Sequence, residues 1–458
     1  MDELPDWVQK YKGPRIQIRN FGNNYYAYRP RTKWDRVRKK TVSLPPEYLG
    51  VVTPRGIVKK QAISGIRGDY EYGNIALLYG IAEKSILPML RQVFPYLHER
   101  IMIYVLLREI QPLPMKSVRY LFEKTWLSKV FNEGMTAKSI SGMLSSLPEE
   151  SMIEVMRSLC ARGEYILIDS TAIFSRSSSI PILEMGHNSH GTHLPQINLM
   201  MLFSSTRREP TFIRIIPGSI RDVSTMKATM IMAGVERCVI IADKGFYSAD
   251  NIKKLRKLHL DYIIPLKRNS SLIPASSEFT GVFDYDGRPV KYWNPVSGVY
   301  AFEDPVLRME EEKDYLERVM QGKRSRKQFL EGSQVFGKVH LLSDLKESPE
   351  RIYRLYKQRE YVEYAFNVFK NDLEADRSYL GDDHMLFSYL FLNLLALNIH
   401  FQILNRTDGK YSVRDILLIL SRIKIYALEG GEIMGEIPKK ARELVTDLGV
   451  SLNMLRKN

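Results

Sequence analysis

Two aspartates directly follow short apolar runs that have the composition of buried β-strands. Asp169 comes after Tyr165–Ile168, and Asp243 comes after Cys238–Ala242. A carboxylate in such a place is costly to bury unless it is paired or binds a cation. Because two strand-end carboxylates of one sheet can converge on a metal ion, the pair indicates a metal site. For each residue taken alone, capping of the following turn is the simpler alternative.

A third group of polar residues has helical spacing. Its members are Tyr356, Arg359, Glu363 and Lys370. At about 100° per residue they project within an arc of about 60°. An apolar stripe lies beside that arc, formed by Leu355, Val362, Phe366, Phe369 and Leu373. The pattern predicts a helix that presents the four polar side chains along the border of the core. The alternative is a solvated Arg–Glu pair, which contributes little stability and would lie opposite the stripe.

The spacing Tyr-x2-Arg-x3-Glu-x6-Lys resembles the signature of DDE transposases of bacterial and archaeal insertion sequences. The stretch ILIDST at 166–171 is similar to the first-Asp strand of that family, and VIIADKGFYS at 239–248 to its second-Asp strand. The segment PGSIRD at 217–222 is similar to another recurring part of the family. The spacing between Asp243 and Glu363 leaves room for an insertion before the glutamate, as this group has.

The resemblance implies a metal-dependent reaction on DNA. Asp169, Asp243 and Glu363 would hold two Mg²⁺ or Mn²⁺ ions about 3.5–4 Å apart and catalyse strand cleavage and strand transfer at the ends of an insertion sequence. The partners implied are double-stranded DNA, as terminal inverted repeats and as target, and a second copy of the chain in the end complex.

The resemblance also implies DNA-contacting residues. Tyr356, Arg359 and Lys370 would hold phosphates of the transposon end near the metal ions. In some relatives an aromatic residue of the insertion stacks a flipped base, and Trp293 is the candidate here. A packed hairpin tryptophan is the alternative reading of Trp293.

The N-terminal segment is strongly basic. Between Lys10 and Lys40 there are eleven Lys and Arg residues and one acid, Asp35, so this window carries +10 of the net charge of +15. Aromatic residues interleave with the cations, as in proteins that neutralise phosphates and stack bases. The run predicts a DNA contact through Arg36, Arg38, Lys39 and Lys40. A solvated, twisted hairpin is the equal alternative.

The element pattern predicts an α/β fold. From Glu164 onward, apolar runs and amphipathic segments read as three strands, helix, strand, helix and strand, the element order of a ribonuclease-H-like mixed sheet. We expect five regions: a basic β/turn arm at 1–66, a helical DNA-binding region at 67–160, a ribonuclease-H-like catalytic domain at 161–267 and 351–404, a β-rich insertion at 268–350 and a C-terminal helical region at 405–458.

The composition excludes several classes of protein. Apolar residues make up 44% and charged residues 26%, which excludes wholesale disorder. With two cysteines, Cys160 and Cys238, the chain is not a disulfide scaffold, and it fits a reducing cytoplasm. The resemblance to insertion-sequence transposases implies a prokaryotic cytoplasm with the nucleoid as the site of action. The N-terminus has no apolar signal region. The apolar stretch Phe387–Leu404 contains Asn393 and Asn398, which favours a core helix over a membrane span.

Two other functions remain open at this point. The chain is either a transposase, or a catalytically inactive, sequence-specific DNA-binding protein of the same descent, or a ribonuclease-H-like nuclease without strand transfer. A protein that only binds DNA need not keep Asp169, Asp243 and Glu363 together, so the intact triad favours the enzyme.

Overall fold

The chain divides into two compact units, Met1–Gly68 with Tyr426–Ile433 and Asp69–Ile425 with Met434–Asn458. The computed structural model describes residues 4–21, 24–35, 39–54, 56–58, 66–160, 165–174, 182, 184–185, 195–217, 223–236, 238–241, 246–274, 278–375, 380, 382–407 and 409–455. Of the predicted site residues, Arg36, Arg38 and Asp243 lie outside these ranges.

The N-terminal segment, for which we expect a basic β/turn arm, forms a four-stranded antiparallel sheet. After helix α1 (Asp6–Gln9) come strands β1 (Gln17–Phe21), β2 (Asn24–Asp35), β3 (Lys40–Thr53) and β4 (Gly56–Val58), which lie in the order β1-β2-β3-β4. A small core of Val8, Ala27 and Val52 is packed against partly buried aromatic and aliphatic side chains. The sheet therefore has a core of its own and leaves many basic side chains exposed.

The next region, expected at 67–160, is helical after one strand. Strand β5 (Ile66–Glu71) precedes seven helices: α2 (Gly73–Lys84), α3 (Leu87–Val93), α4 (His98–Ile110), α5 (Met115–Lys124), α6 (Leu127–Val130), α7 (Ala137–Ser146) and α8 (Glu149–Leu159). The apolar positions at helical spacing form the core of this region, where Ile75, Ile103 and Leu144 are fully buried.

The expected order of three strands, helix, strand, helix and strand is present, with one additional short strand. The elements are β6 (Ile166–Phe174), β7 (Glu184–Met185), β8 (Pro195–Ser204), β9 (Glu209–Pro217), α9 (Val223–Ala233), β10 (Cys238–Ile241), α10 (Ala249–Lys257) and β11 (Asp261–Pro265). Strand β6 is antiparallel to β8 and parallel to β10, and β10 is parallel to β11. Strand β8 is buried along nearly its whole length, as its near-continuous apolar run requires.

The insertion is not a separate sheet, because its strands continue the central one. Its elements are β12 (Phe279–Tyr285), β13 (Arg288–Val296), β14 (Val299–Glu303), α11 (Pro305–Met320), α12 (Arg326–Gly332), a 3₁₀ turn (Ser333–Val335) and β15 (Lys338–Ser343). Strand β15 pairs antiparallel with β11, which gives the sheet order β12-β13-β14-β15-β11-β10-β6-β8-β7, with β9 on β8. The chain forms two helices here and not one, because Gly322 adopts a positive φ and Ser325 starts α12 with a capping box.

The long helix predicted near 351–372 is present in three consecutive pieces. They are α13 (Pro349–Lys357), α14 (Arg359–Asn367) and a π-helical turn (Val368–Asp372). Helix α15 (Asp383–Arg406) follows. Its most apolar stretch has a mean hydropathy of 1.5, enough for a membrane span by composition alone, and 89% of that stretch is buried inside the protein. This burial agrees with the predicted core helix.

The prediction of a wholly helical segment at 405–458 is wrong in one part. Helices α16 (Val413–Leu420) and α17 (Lys439–Asp447) flank two strands, β16 (Lys424–Leu428) and β17 (Gly431–Met434). These strands are neighbours in a three-stranded sheet of order β17-β16-β5. The residues KIYAL alternate like a half-buried strand, and Gly431 with φ 150° supplies a conformation that other residues rarely adopt.

A buried ionisable pair joins α4 to α15. The His400 Nδ1 and Glu109 Oε1 atoms are 2.7 Å apart, and both residues are buried. Burial raises the pKa of Glu109. Burial alone would lower the pKa of His400, but the Glu109 carboxylate and its hydrogen bond outweigh this effect, with a smaller contribution from Asp372, and the net direction is upward. The folded protein therefore binds the shared proton more tightly than the unfolded chain.

We expect the free energy of unfolding to fall as the pH rises from about 6.5, the ordinary pKa of histidine, through the raised pKa of His400. The stabilisation is fully present below the unfolded-state value and is lost above the folded-state value. Replacing both members of the pair, with Glu109→Gln and His400→Gln, removes this titration, so urea unfolding of the double variant between about pH 6 and pH 9 should give a flatter profile than the original chain.

His98→Gln is the matched control, because His98 lies on the same helix α4 and its ring contacts the Pro95 carbonyl. A profile of the double variant that runs parallel to that of the original chain would contradict the assignment.

Candidate active site

Asp169 lies inside strand β6 and not at its end, which corrects the prediction. The strand continues to Phe174 because β8 pairs with it along its whole length, including Met201 opposite Asp169. The described pairs between β6 and β10 run from Ile166 to Ile168, one residue short of Asp169. Asp169 is half-buried, and its Oδ1 accepts a hydrogen bond of 2.8 Å from the Ser170 amide. Asp169 is thus the first residue of β6 beyond the described parallel pairs with β10.

Lys370 contacts the same strand. Its Nζ donates a hydrogen bond of 2.7 Å to the Thr171 hydroxyl. Successive side chains of a strand point to opposite faces, so Asp169 and Thr171 share a face of β6. Helix α14 also lies against β6, and the contact of Lys370 with Thr171 indicates that the helical segment covers this face. The Asp169 carboxylate therefore projects from the face of β6 that this helical segment covers.

A second hydrogen bond fixes the direction of the helical segment. Gln358 Nε2 donates to the Ser205 carbonyl at 3.1 Å, and the Ser205 amide donates to the Tyr165 carbonyl at 3.1 Å. Gln358 therefore lies near the start of β6, whereas Lys370 lies at Thr171. The helical segment runs alongside β6 in the same direction. Twelve residues of helix rise about 18 Å and six residues of strand about 20 Å, so the two lengths match.

This register gives the relative positions of Glu363 and Asp169 along the direction of β6. Glu363 lies five helical residues, about 7.5 Å, beyond the start of the match, and Asp169 lies four strand residues, about 13 Å, beyond it. The two positions differ by about 6 Å along the strand, a distance that the two side chains can span.

Cationic and hydroxyl groups surround Glu363. Arg359 Nη2 lies 2.8 Å from Glu363 Oε1, and the side chains are 27% and 53% exposed, respectively. Arg359 Nε is buried and has no hydrogen-bond partner among the described residues. Burial raises the pKa of the half-buried Tyr356, and the Glu360 and Glu363 carboxylates raise it further against the opposing effect of Arg359. The Tyr356 hydroxyl therefore stays protonated at neutral pH and can donate a hydrogen bond.

The apolar stripe predicted beside these residues is confirmed. All five of its members are buried: Leu355, Val362, Phe366, Phe369 and Leu373. Tyr356, Arg359 and Lys370 are half-buried and Glu363 is exposed, so the four polar side chains lie along the border of the core. The helical periodicity was sufficient to find this border.

Sequence reasoning missed two features of the site. Lys370 lies in a π-helical turn, in which the Leu373 amide donates to the Val368 carbonyl at 2.9 Å. Such turns are often found at functional sites, and the residues VFKND give no signal for one. Thr171 was also missed, although its place two residues after Asp169 puts it on the same strand face.

The remaining predicted site residues lie elsewhere. Trp293 is on β13, five strand spacings or about 24 Å from β6 along the sheet. Its ring packs edge-on against Phe279, with ring centroids 6.0 Å apart, as in a packed hairpin. Lys39 and Lys40 are exposed in the N-terminal sheet. Asp243 follows the last described residue of β10, Ile241, by two positions.

The donor atoms near β6 fit a hard divalent cation. Asp169 and Glu363 offer carboxylate oxygens, the ligands that Mg²⁺ and Mn²⁺ prefer, and both are at least partly accessible. Within the ranges that the structure describes, no group of three or more His, Cys, Asp and Glu side chains is gathered closely enough to hold a metal ion. The third acid of the predicted set is Asp243, which that statement does not cover.

Comparison with known proteins identifies the family. The family described as Transposase DDE domain matches residues 162–399, more than half of the chain, and the protein belongs to it. No curated protein sequence gives a significant match. Among solved structures, a cryo-EM structure of the piggyBac transposase synaptic complex with hairpin DNA is similar with a TM-score of 0.41 and 11% identity, over 84% of this chain and 86% of that one.

Proposed function

We propose that this transposase-family protein cleaves DNA at the ends of an insertion sequence and transfers those ends to a target. The hydrogen bond from Lys370 to Thr171 carries the proposal, because it lays the helix with Glu363 along the strand with Asp169. The match of residues 162–399 to the transposase family supports it independently. The order β9-β8-β6-β10-β11, antiparallel on one side of β6 and parallel on the other, supports a ribonuclease-H-like catalytic sheet.

The metal ligands in this proposal are Asp169, Asp243 and Glu363. In the sequence, Asp243 follows Ile241, the last residue of β10, by two positions, and β10 is the strand beside β6. Three carboxylates suit two Mg²⁺ or Mn²⁺ ions. Bound there, the ions supply an activated oxygen nucleophile and stabilise the leaving oxygen of a phosphodiester.

The cationic side chains would hold the DNA end. Arg359 has a buried Nε donor without a partner in the described structure, beside an Nη2 that contacts Glu363. A guanidinium in this position can donate to two oxygens of one phosphate. The Tyr356 hydroxyl and the Lys370 ammonium add donors on the same border of the core. These groups orient the scissile phosphate and offset its charge next to the carboxylates.

The N-terminal sheet would provide further contacts to the DNA backbone. Strands β2 and β3 leave Arg31, Lys33 and Lys40 exposed, and Phe21 and Trp34 are 59% and 57% exposed. Cations beside accessible aromatic rings are suited to phosphates and bases. A homodimer that bridges two DNA ends belongs to the same proposal and rests on the family resemblance.

Glu363→Gln should abolish cleavage of a DNA that carries the element end and leave binding of that DNA close to normal. The substitution keeps the shape of the side chain and removes the charge that holds a divalent cation. Cleavage is measured by single-turnover gel assay with Mg²⁺ or Mn²⁺, and binding by fluorescence anisotropy.

Glu360→Gln is the matched control, because Glu360 is an exposed acid on the same helix that pairs with Lys357. Normal cleavage is expected from it. Retained cutting by Glu363→Gln would refute the role of Glu363. Specific binding by the original chain without any cleavage would favour the alternative of an inactive DNA-binding protein, and cleavage without end joining would favour a nuclease.

Replacing Lys39 and Lys40 by Gln should lower the dependence of DNA affinity on salt. Each phosphate contact contributes about 0.9 to the slope of log K against log salt concentration, so the slope should fall in magnitude by about 1.8. The control is replacement of Lys439 and Lys440 by Gln, which removes the same charge from helix α17. An unchanged slope for the Lys39 and Lys40 variant would count against this part of the N-terminal sheet as a phosphate contact.

A further inference from the structure

Helix α4 carries two consecutive buried ionisable residues, Arg108 and Glu109, in its last turn. Glu109 is paired with His400. The Arg108 guanidinium is 4% exposed, and the hydrogen bonds recorded for it in the described structure all go to neutral groups. A buried charge is costly unless its donors are satisfied, so the groups that receive these hydrogen bonds are held in a fixed geometry.

Arg108 reaches from α4 to the end of the π-helical turn. Its Nη2 donates to the Leu373 carbonyl, the first residue after the turn, and also to the Tyr389 hydroxyl at 3.1 Å. Its Nε donates to Asn393 Oδ1 at 3.2 Å. The Tyr389 hydroxyl in turn donates to the Glu374 carbonyl at 3.3 Å. Two successive carbonyls after the turn are thus held by side chains of α4 and α15.

The Leu373 and Glu374 carbonyls lie at the end of this helical segment, where carbonyls would otherwise lack hydrogen-bond donors. The last carbonyls of a helix have no hydrogen-bond donor within the helix, and a positive charge near them is favourable. Inside the turn, the Leu373 amide donates to the Val368 carbonyl and the Ala375 amide to the Phe369 carbonyl at 3.0 Å. Lys370 lies two residues after Val368, within the stretch of chain that both hydrogen bonds enclose.

We propose that Arg108 is a positioning residue that holds the π-helical turn and so places Lys370 against Thr171 on the Asp169 face of β6. Arginine suits this role because its planar fork reaches the Leu373 carbonyl, the Tyr389 hydroxyl and the Asn393 amide together, which a lysine ammonium cannot do in the same geometry. The consequence for DNA rests on the proposed function, whereas the positioning itself does not.

The positioning is tested by amide hydrogen exchange of the DNA-free protein. Arg108→Met should accelerate exchange of the amides in 368–375 by about tenfold or more, since hydrogen bonds from a charged donor are lost. Tyr389→Phe removes one hydroxyl and should accelerate the same amides by a smaller factor, about threefold. The slowest amides of α2 and the central sheet report global stability and serve as the reference within each variant.

Arg100→Met is the matched control, because Arg100 lies on the same helix and pairs with Glu133 at 2.7 Å. It should leave exchange of 368–375 unchanged. Exchange in 368–375 that accelerates no more than the reference amides, in Tyr389→Phe as well as in Arg108→Met, overturns the proposal. Tyr389→Phe provides the test if Arg108→Met does not fold.

A double-mutant cycle shows whether Arg108 acts through Lys370. Binding of an end-bearing DNA should weaken about tenfold in Arg108→Met and in Lys370→Met, and the double variant should bind no more weakly than Lys370→Met alone. If the double variant binds DNA more weakly than Lys370→Met by the full factor seen in Arg108→Met, Arg108 does not act through Lys370. A protein that binds no DNA at all, with locally accelerated exchange in the variants, refutes the proposed function and leaves the positioning role standing.

Discussion

The register between one helical segment and one strand determines the whole site. The segment from Gln358 to Lys370 runs beside β6 from its start to Thr171, with a hydrogen bond near each end. Because one helical turn is about 5.4 Å long, a displacement of one turn toward the start of β6 would separate Glu363 from Asp169 by a further 5.4 Å or so along the strand. Everything that keeps the segment in place therefore also preserves the candidate site.

The charges around this register would suit a polyanion and a cation bound together, as the proposed function requires. Arg359 contacts Glu363, and Lys370 contacts the strand that bears Asp169. Arg359 lies beside the Glu363 carboxylate and offsets part of its charge. A phosphate would give Arg359 and Lys370 another partner, and a divalent cation would do the same for the acids. The same residues thus serve stability and the proposed chemistry.

Local patterns in the sequence predicted much of this site, and its long-range contacts were beyond them. The apolar stripe from Leu355 to Leu373 repeats at helical spacing, so one sequence shows which face is buried. Asp169 was placed at a strand end because the apolar run stops there, but pairing with β8 carries β6 onward to Phe174. The π-helical turn depends on Arg108 and Tyr389, which lie far away in the chain, and no local pattern encodes such tertiary contacts. The union of the insertion with the central sheet is set by β15 pairing with β11, which is also non-local.

The central claim is that Asp169, Asp243 and Glu363 share divalent cations on the β6 face. The most direct measurement is anomalous X-ray diffraction from crystals of the full chain grown with Mn²⁺ and a DNA that carries the element end. The account predicts anomalous peaks bridged by carboxylate oxygens of all three residues, with Lys370 still near Thr171. Mn²⁺ bound elsewhere, with the Glu363 carboxylate remote from Asp169, would contradict it.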